Sequence, residues 1–171
     1  MSSDTKYYGK YRGTVVNNID PMQMGRIQAI VPDVSNVIPS TWAMPCVPLA
    51  GMQMGAYFVP PVGAGVWIEY EQGDPDHPIW VGGFWGSAAE VPALALAGVP
   101  ASPNIVMQTI GQCTFVISDL PGPTGGFMLK STAGACIIVN DTGIYIQNGQ
   151  GASIVMTGPM VTINNGAMVI T

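Results

Sequence analysis

The sequence predicts an all-β protein in two parts: a closed barrel of five short strands, then a stack of short strands that one chain cannot complete alone. Three observations predict it. The 171 residues hold 22 Gly and 15 Pro, only 9% are charged, and the good helix formers Lys, Glu, Arg and Gln are scarce. Such a composition favours strands and turns. Apolar and polar residues alternate with period two in several short runs before residue 87. Beyond residue 125, glycine recurs at 126, 134, 143, 151, 158 and 166, in steps of 8, 9, 8, 7 and 8, and a regular period of this kind marks a stacked architecture.

The barrel elements come in order. Residues 11–19 (YRGTVVNNI) form a β-branched run that ends at Asp20-Pro21. After the turn DPMQMG, residues 26–32 place Ile27, Ala29 and Val31 opposite in phase to Arg26, Gln28 and Ile30, as in a hairpin with a longer loop. Residues 42–49 (WAMPCVPL) suit an edge strand, because Pro45 and Pro48 donate nothing to a central ladder. The clearest hairpin spans 60–86: Val66, Ile68 and Tyr70 alternate with Trp67, Glu69 and Glu71, QGDPDHP turns, and IWVGGFW returns. Strands this short and numerous close into a barrel and so remove exposed edges.

The remainder is organised differently. Residues 87–104 are rich in Ala, Pro and Ser with neither alternation nor a capped helix, which predicts a packed linker carrying Val91, Leu94, Leu96 and Val99. Twelve of the fifteen charged residues precede residue 91, so the C-terminal half must bury much of itself against something. Aligned on each repeat glycine, the third residue after it is Leu129, Ile137, Ile146, Ile154, Val161 and Val169, aliphatic throughout. The first residue after it is apolar in every unit as well. These positions are expected to face a core, with Tyr145 and Gln147 among those facing out. A single-chain coil needs about 20 residues, so 126–171 is too short to close a core, and sharing among three chains solves the problem. A sandwich-like satellite domain with coincidental glycines is the plainer alternative.

Composition excludes several functions. Five basic residues against ten acidic ones, with net charge −5, leave no phosphate-neutralising patch for nucleic acid and no polybasic membrane anchor. The start, MSSDTKYYGKYRG, holds no apolar run, which suggests synthesis in the cytoplasm without a signal peptide. Cys46, Cys113 and Cys136 are expected as reduced thiols. Glu69 and Glu71 would share one side of a strand, whereas a glycosidase needs a facing pair. No histidine is placed to activate a thiol, and PGPTGG lacks the Lys-Ser/Thr of a phosphate loop. Asp74, Asp76 and His77 lie close together, but one His beside a turn is a poor ligand set, and a hydrated hairpin tip is the better reading. No catalytic, cofactor or metal residue is therefore expected.

Two segments resemble a known family. NNIDPMQMGRIQAIVP, at residues 17–32, and VPPVGAGVWIEYEQGDPDHPIWVG, at 59–82, look like the OB-fold domain of contractile-tail spike proteins, the phage baseplate assembly protein V and VgrG-type family. The most specific piece is the turn carrying Gly73, Asp74, Pro75, Asp76, Pro78 and Gly82. The resemblance implies an OB-fold barrel over 1–87, a linker over 88–104, and an intertwined, trimeric, triple-stranded β-helix (a β-prism) over 105–171, with strands of three chains alternating up each face. It implies a structural spike that joins a hub at the tube end to a tip and pierces a target envelope on contraction. The homotrimer would meet a hub protein, the tube and a PAAR-type tip protein within a phage tail or tail-like particle, touching the target membrane only in passing. The gap 87–104 leaves no room for the lysozyme domain some members insert, and the His-x-His apex of some phage spikes is missing. A blunt apolar end at Met168, Val169, Ile170 and Thr171 is then expected to dock the tip protein. A trimeric glycan-binding fibre is the alternative, weakened by the single outward aromatic, Tyr145.

Overall fold

The computed structural model describes residues 5–170, the side chains of Val169 and Ile170 excepted. The chain forms two compact units, residues 1–88 and 89–171.

The first unit contains β1 (Tyr11–Asn17), β2 (Gln28–Ile30), β3 (Met44–Pro45), β4 (Ala50–Gly51), β5 (Met54–Gly55), β6 (Gly65–Tyr70) and β7 (Pro78–Phe84). Five strands form one sheet in the order β2-β1-β6-β7-β3. All its pairings are antiparallel except β3 with β7. The proline-bearing β3 is an edge strand, as its missing N–H groups require. The two edges approach each other through backbone: Ile27 and Ala43 exchange N–H···O bonds of 3.2 and 2.7 Å, and Ile30 bridges Pro39. Period-two alternation becomes core here. Val15, Ile27, Ala29, Val31, Ala43, Val66 and Ile68 are at most 1% exposed, with Tyr70 and Trp80 beside them.

Two elements lie outside the sequence expectation. Pro32–Ser35 form a single helical turn that ends the strand at Ile30, two residues short of the expected end, with Pro in its first turn. Strands β4 and β5 pair as a separate small hairpin, tipped by Met52 and Gln53. Glu71 also differs from expectation: β6 ends at Tyr70, and Glu71 opens a 3-10 turn, so the two glutamates do not share a strand.

Short 3-10 turns at Ala88–Glu90 and Ala93–Ala95 precede the strands of the second unit, and Asn104 Nδ2 donates to the Leu94 carbonyl at 2.8 Å. Then follow β8 (Ile105–Gln108), β9 (Thr114–Ser118), β10 (Gly126–Lys130), β11 (Cys136–Asn140), β12 (Gly143–Gln147), β13 (Ser153–Thr157), β14 (Met160–Ile163) and β15 (Met168–Ile170). They form one eight-stranded sheet in strict chain order, antiparallel throughout. Each strand from β9 to β14 spends both edges on its own chain's neighbours, because turns of two to seven residues return the chain at once.

The turns show why glycine is periodic. All six repeat glycines have φ between +53° and +153°, a region L side chains rarely adopt. At Gly143 a Cβ would also lie 2.1 Å from the Met156 carbonyl oxygen. Three five-residue turns, 109–113, 131–135 and 148–152, are built alike. The backbone N–H of the first residue donates to the carbonyl of the fifth, and the side chain of Thr109, Ser131 or Asn148 accepts from the N–H four residues on. Their fourth residues, Gln112, Gly134 and Gly151, share a positive φ. The repeat thus starts at β8, one hairpin earlier than the glycines indicate, because Gln112 stands where the later turns have glycine.

Candidate functional site

Register divides the C-terminal sheet into two unlike faces. On one face a row runs across all eight strands: Met107, Phe115, Leu129, Ile137, Ile146, Ile154, Ile163 and Met168. A second row on the same face holds Ile105, Ile117, Phe127, Val139, Ile144, Met156 and Val161. Every one of these fifteen side chains is apolar. Eight of them are exposed, among them Ile105 at 61%, Phe127 at 54%, Leu129 at 51%, Ile137 at 44% and Ile154 at 37%, and the other seven, Ile146 included, are half-buried. The opposite face carries one apolar row, including Val116, Met128, Ile138, Tyr145 and Val155, between polar flanks such as Lys130, Gln147 and Ser153. That mixed face is the better covered, with Val116, Thr114 and Ser118 buried.

Leu129, Ile137, Ile146, Ile154 and Val161, aligned in the sequence by their glycines, all fall on the open aliphatic face. The last position differs. The four-residue turn 164–167 brings Met168 opposite Ile163 and Val169 opposite Thr162, so the Ile154 row continues at Met168. The residues directly after the glycines also depart from expectation. Ala135, Ala152, Pro159 and Ala167 sit in turns, and their places on the face go to residues such as Val139 and Met156. From β10 onward turn lengths alternate between four or five residues and two, so a glycine-based frame cannot hold strand phase through every unit. At the expected tip, Met168 is 55% exposed. The side chains of Val169 and Ile170, and Thr171 entirely, lie outside the described residues.

The barrel's two sequence motifs are backbone devices. Asp20 accepts from the N–H groups of Met22, Met24 and Arg26 and from Arg26 Nε and Nη2 at 2.6–3.2 Å, which ties the whole DPMQMGR loop to one carboxylate. The hydrogen-bonded Arg26 guanidinium, aided by those N–H groups against the effect of burial, holds the Asp20 carboxyl well below the usual carboxylate range. Asp74 Oδ1 accepts from the Asp76 N–H at 3.0 Å, so the GDPDHP turn closes on its own side chain, and His77 lies exposed 3.5 Å from Asp74. That N–H, ahead of opposing burial and the nearby Lys6 and His77 charges, lowers the Asp74 carboxyl. Gly73, with φ +76°, accepts from the Tyr7 N–H, and a Cβ there would press on Lys6 and Tyr7. Gly82 follows the residue bulged between β6 and β7, where the register slips between Trp67 and Ile68.

Among the described residues no three His, Cys, Asp or Glu side chains gather as a metal site would require. Glu69 pairs with Lys10. Cys46 and Cys113 are exposed and Cys136 half-buried, all free thiols.

Two family models match the chain. Residues 11–85 match the type VI secretion system/phage-baseplate injector OB domain. Residues 104–169 match the phage baseplate V C-terminal trimerisation domain. A search of curated proteins finds no match.

Proposed function

Since the chain belongs to the phage baseplate V family and serves as a baseplate spike, we propose that it joins the hub at the tube end to a separate tip protein and pierces the target envelope when the sheath contracts. Its C-terminal part is a trimerisation domain, and the chain assembles as a homotrimer within a phage-tail-like particle.

The observation that carries the proposal is the open aliphatic face. A sheet whose inner strands are hydrogen-bonded on both edges can be completed only through side chains. Three such faces turned to one axis would bury them together, with Leu129, Ile137, Ile146, Ile154 and Val161 in the trimer core. Eight strands at a spacing of about 4.8 Å stack to about 34 Å. Load along that stack would be borne by a continuous hydrogen-bond ladder over a close-packed core. In this reading the protein is no enzyme, residues 1–87 form the OB barrel that meets the hub, 88–104 link, and 105–171 form the spike.

The tip protein docks at the far end in the same reading. Among the described residues β15 is an edge strand with no second neighbour, a natural template for another chain. Deleting 166–171 should abolish capture of a PAAR-type tip protein in a pull-down while the trimer survives. Undiminished capture by the truncated trimer would place the docking surface elsewhere.

A further inference from the structure

The first unit carries an apolar surface of its own, apart from the aliphatic face and edge strand of the second. Residues 34–68 contain no Asp, Glu, Lys or Arg, although the chain's charge is concentrated before residue 91. In this stretch the β4–β5 hairpin walls a groove of about 510 Å³ lined by Met24, Met44, Leu49, Met54, Tyr57 and Phe58. The hairpin's own tip, Met52, is 96% exposed, more than any other large apolar side chain described. Knob and groove therefore belong to one element, and Met52 is not among the residues that line the groove.

We propose that three copies of the first unit close into a ring, the Met52 tip of each entering the groove of the next. A knob and a groove on different parts of one surface make a heterologous contact, which forms a closed ring when the rotation closes. The trimerisation domain supplies the threefold closure and, through the linker, a high effective concentration of the three copies. Charge permits a second copy here, and the threefold closure selects it over other occupants. Each copy carries −5, so like charges oppose most contacts between copies, but a stretch free of charge meets its copy without that cost. Methionine suits both roles, because its unbranched thioether chain adapts to irregular apolar space.

The inference rests on the trimer reading, and one sample tests both. The full chain is purified with the photo-cross-linker p-benzoylphenylalanine at position 52, sized by light scattering, irradiated and mapped by mass spectrometry. A trimer with intermolecular cross-links to residues 44–58 supports the ring. A trimer with no such cross-link overturns the ring and leaves the spike reading standing, whereas a monomer overturns both. Hydrogen exchange of the unmodified trimer is the second readout. Met52→Asp should lower protection at residues 49–58 by about tenfold or more and leave the β6 and β12 amides unchanged. Equal protection in wild type and variant, with the trimer intact, would show that nothing covers the groove.

Discussion

At the scale of single residues, structure is set by a few side chains that organise backbone. Asp20 is the clearest case. Its folded carboxyl is held far below the roughly 3.9 of an unfolded chain, so its contribution to stability is present above about pH 4 and is lost as pH falls below that value. Asp20→Asn should lower Tm at pH 7 by roughly 5–10 °C, with the gap to wild type narrowing below about pH 4 in calorimetry. Tyr70 has the opposite sense. Burial first, then the neighbouring Tyr11 and Tyr7, push its phenol up to about 12. Its contribution is intact below about pH 10 and is lost as pH rises towards about 12. An absorbance titration should show one late tyrosine step that Tyr70→Phe removes. Gln112 holds a left-handed conformation at φ +63° where its sister turns have glycine. Gln112→Gly should therefore stabilise by about 0.5–1 kcal/mol, read from a denaturant midpoint.

At the scale of elements, the hairpin repeat explains which substitutions the sheet tolerates. Gly143→Ala would drive a Cβ into the Met156 carbonyl and should prevent β12 from pairing with β13, whereas Gly151→Ala meets open space and costs about 1–2 kcal/mol of backbone strain. Loss of native circular dichroism in the first variant and retention in the second is the expected result. The two faces give a second contrast. Ile146 lies between Ile137 and Ile154 on the aliphatic face, and Gln147 lies between Cys136 and Ser153 on the other. Ile146→Asp should abolish the trimer, each buried and unpaired carboxylate costing about 3–5 kcal/mol, and Gln147→Asp should leave it intact. Equal behaviour of the pair in sedimentation would reverse the assignment of the inner face.

At the scale of the whole molecule, assembly rests on apolar burial rather than charge. Light scattering should give three times 17.9 kDa. The aliphatic face described has no ionisable group and each copy carries −5, so the trimer should not weaken between about 0.05 and about 1 M salt, across which both exposed ion pairs and the repulsion between copies are screened. Dissociation on raising the salt would mean that charged residues outside this face hold the trimer. Dilution of a chaotrope-dissociated sample should restore the trimer with a concentration-dependent rate, because in this reading the face is completed by other chains.

Much of this was legible in the amino-acid order because it follows from local rules. Period-two alternation put Ile27, Ala29 and Val31 in one phase and Val66, Ile68 and Tyr70 in another, and closure of the sheet turned both sets inward. Prolines placed 42–49 at an edge, and Asp-Pro-Asp announced a turn closed by its own side chain. Glycine spacing located the corners from 126 onward, since a left-handed backbone selects glycine. Tertiary structure alone decided the rest. Strand phase in the C-terminal sheet depends on how many residues each turn consumes, which is why Met168 rather than Val169 continues the Ile154 row. Gln112 hid the first hairpin because a left-handed residue need not be glycine when the turn's hydrogen bonds hold it. The β4–β5 hairpin, two residues a side, is too short to show a period, and its Met-lined groove exists only where the chain folds back on itself.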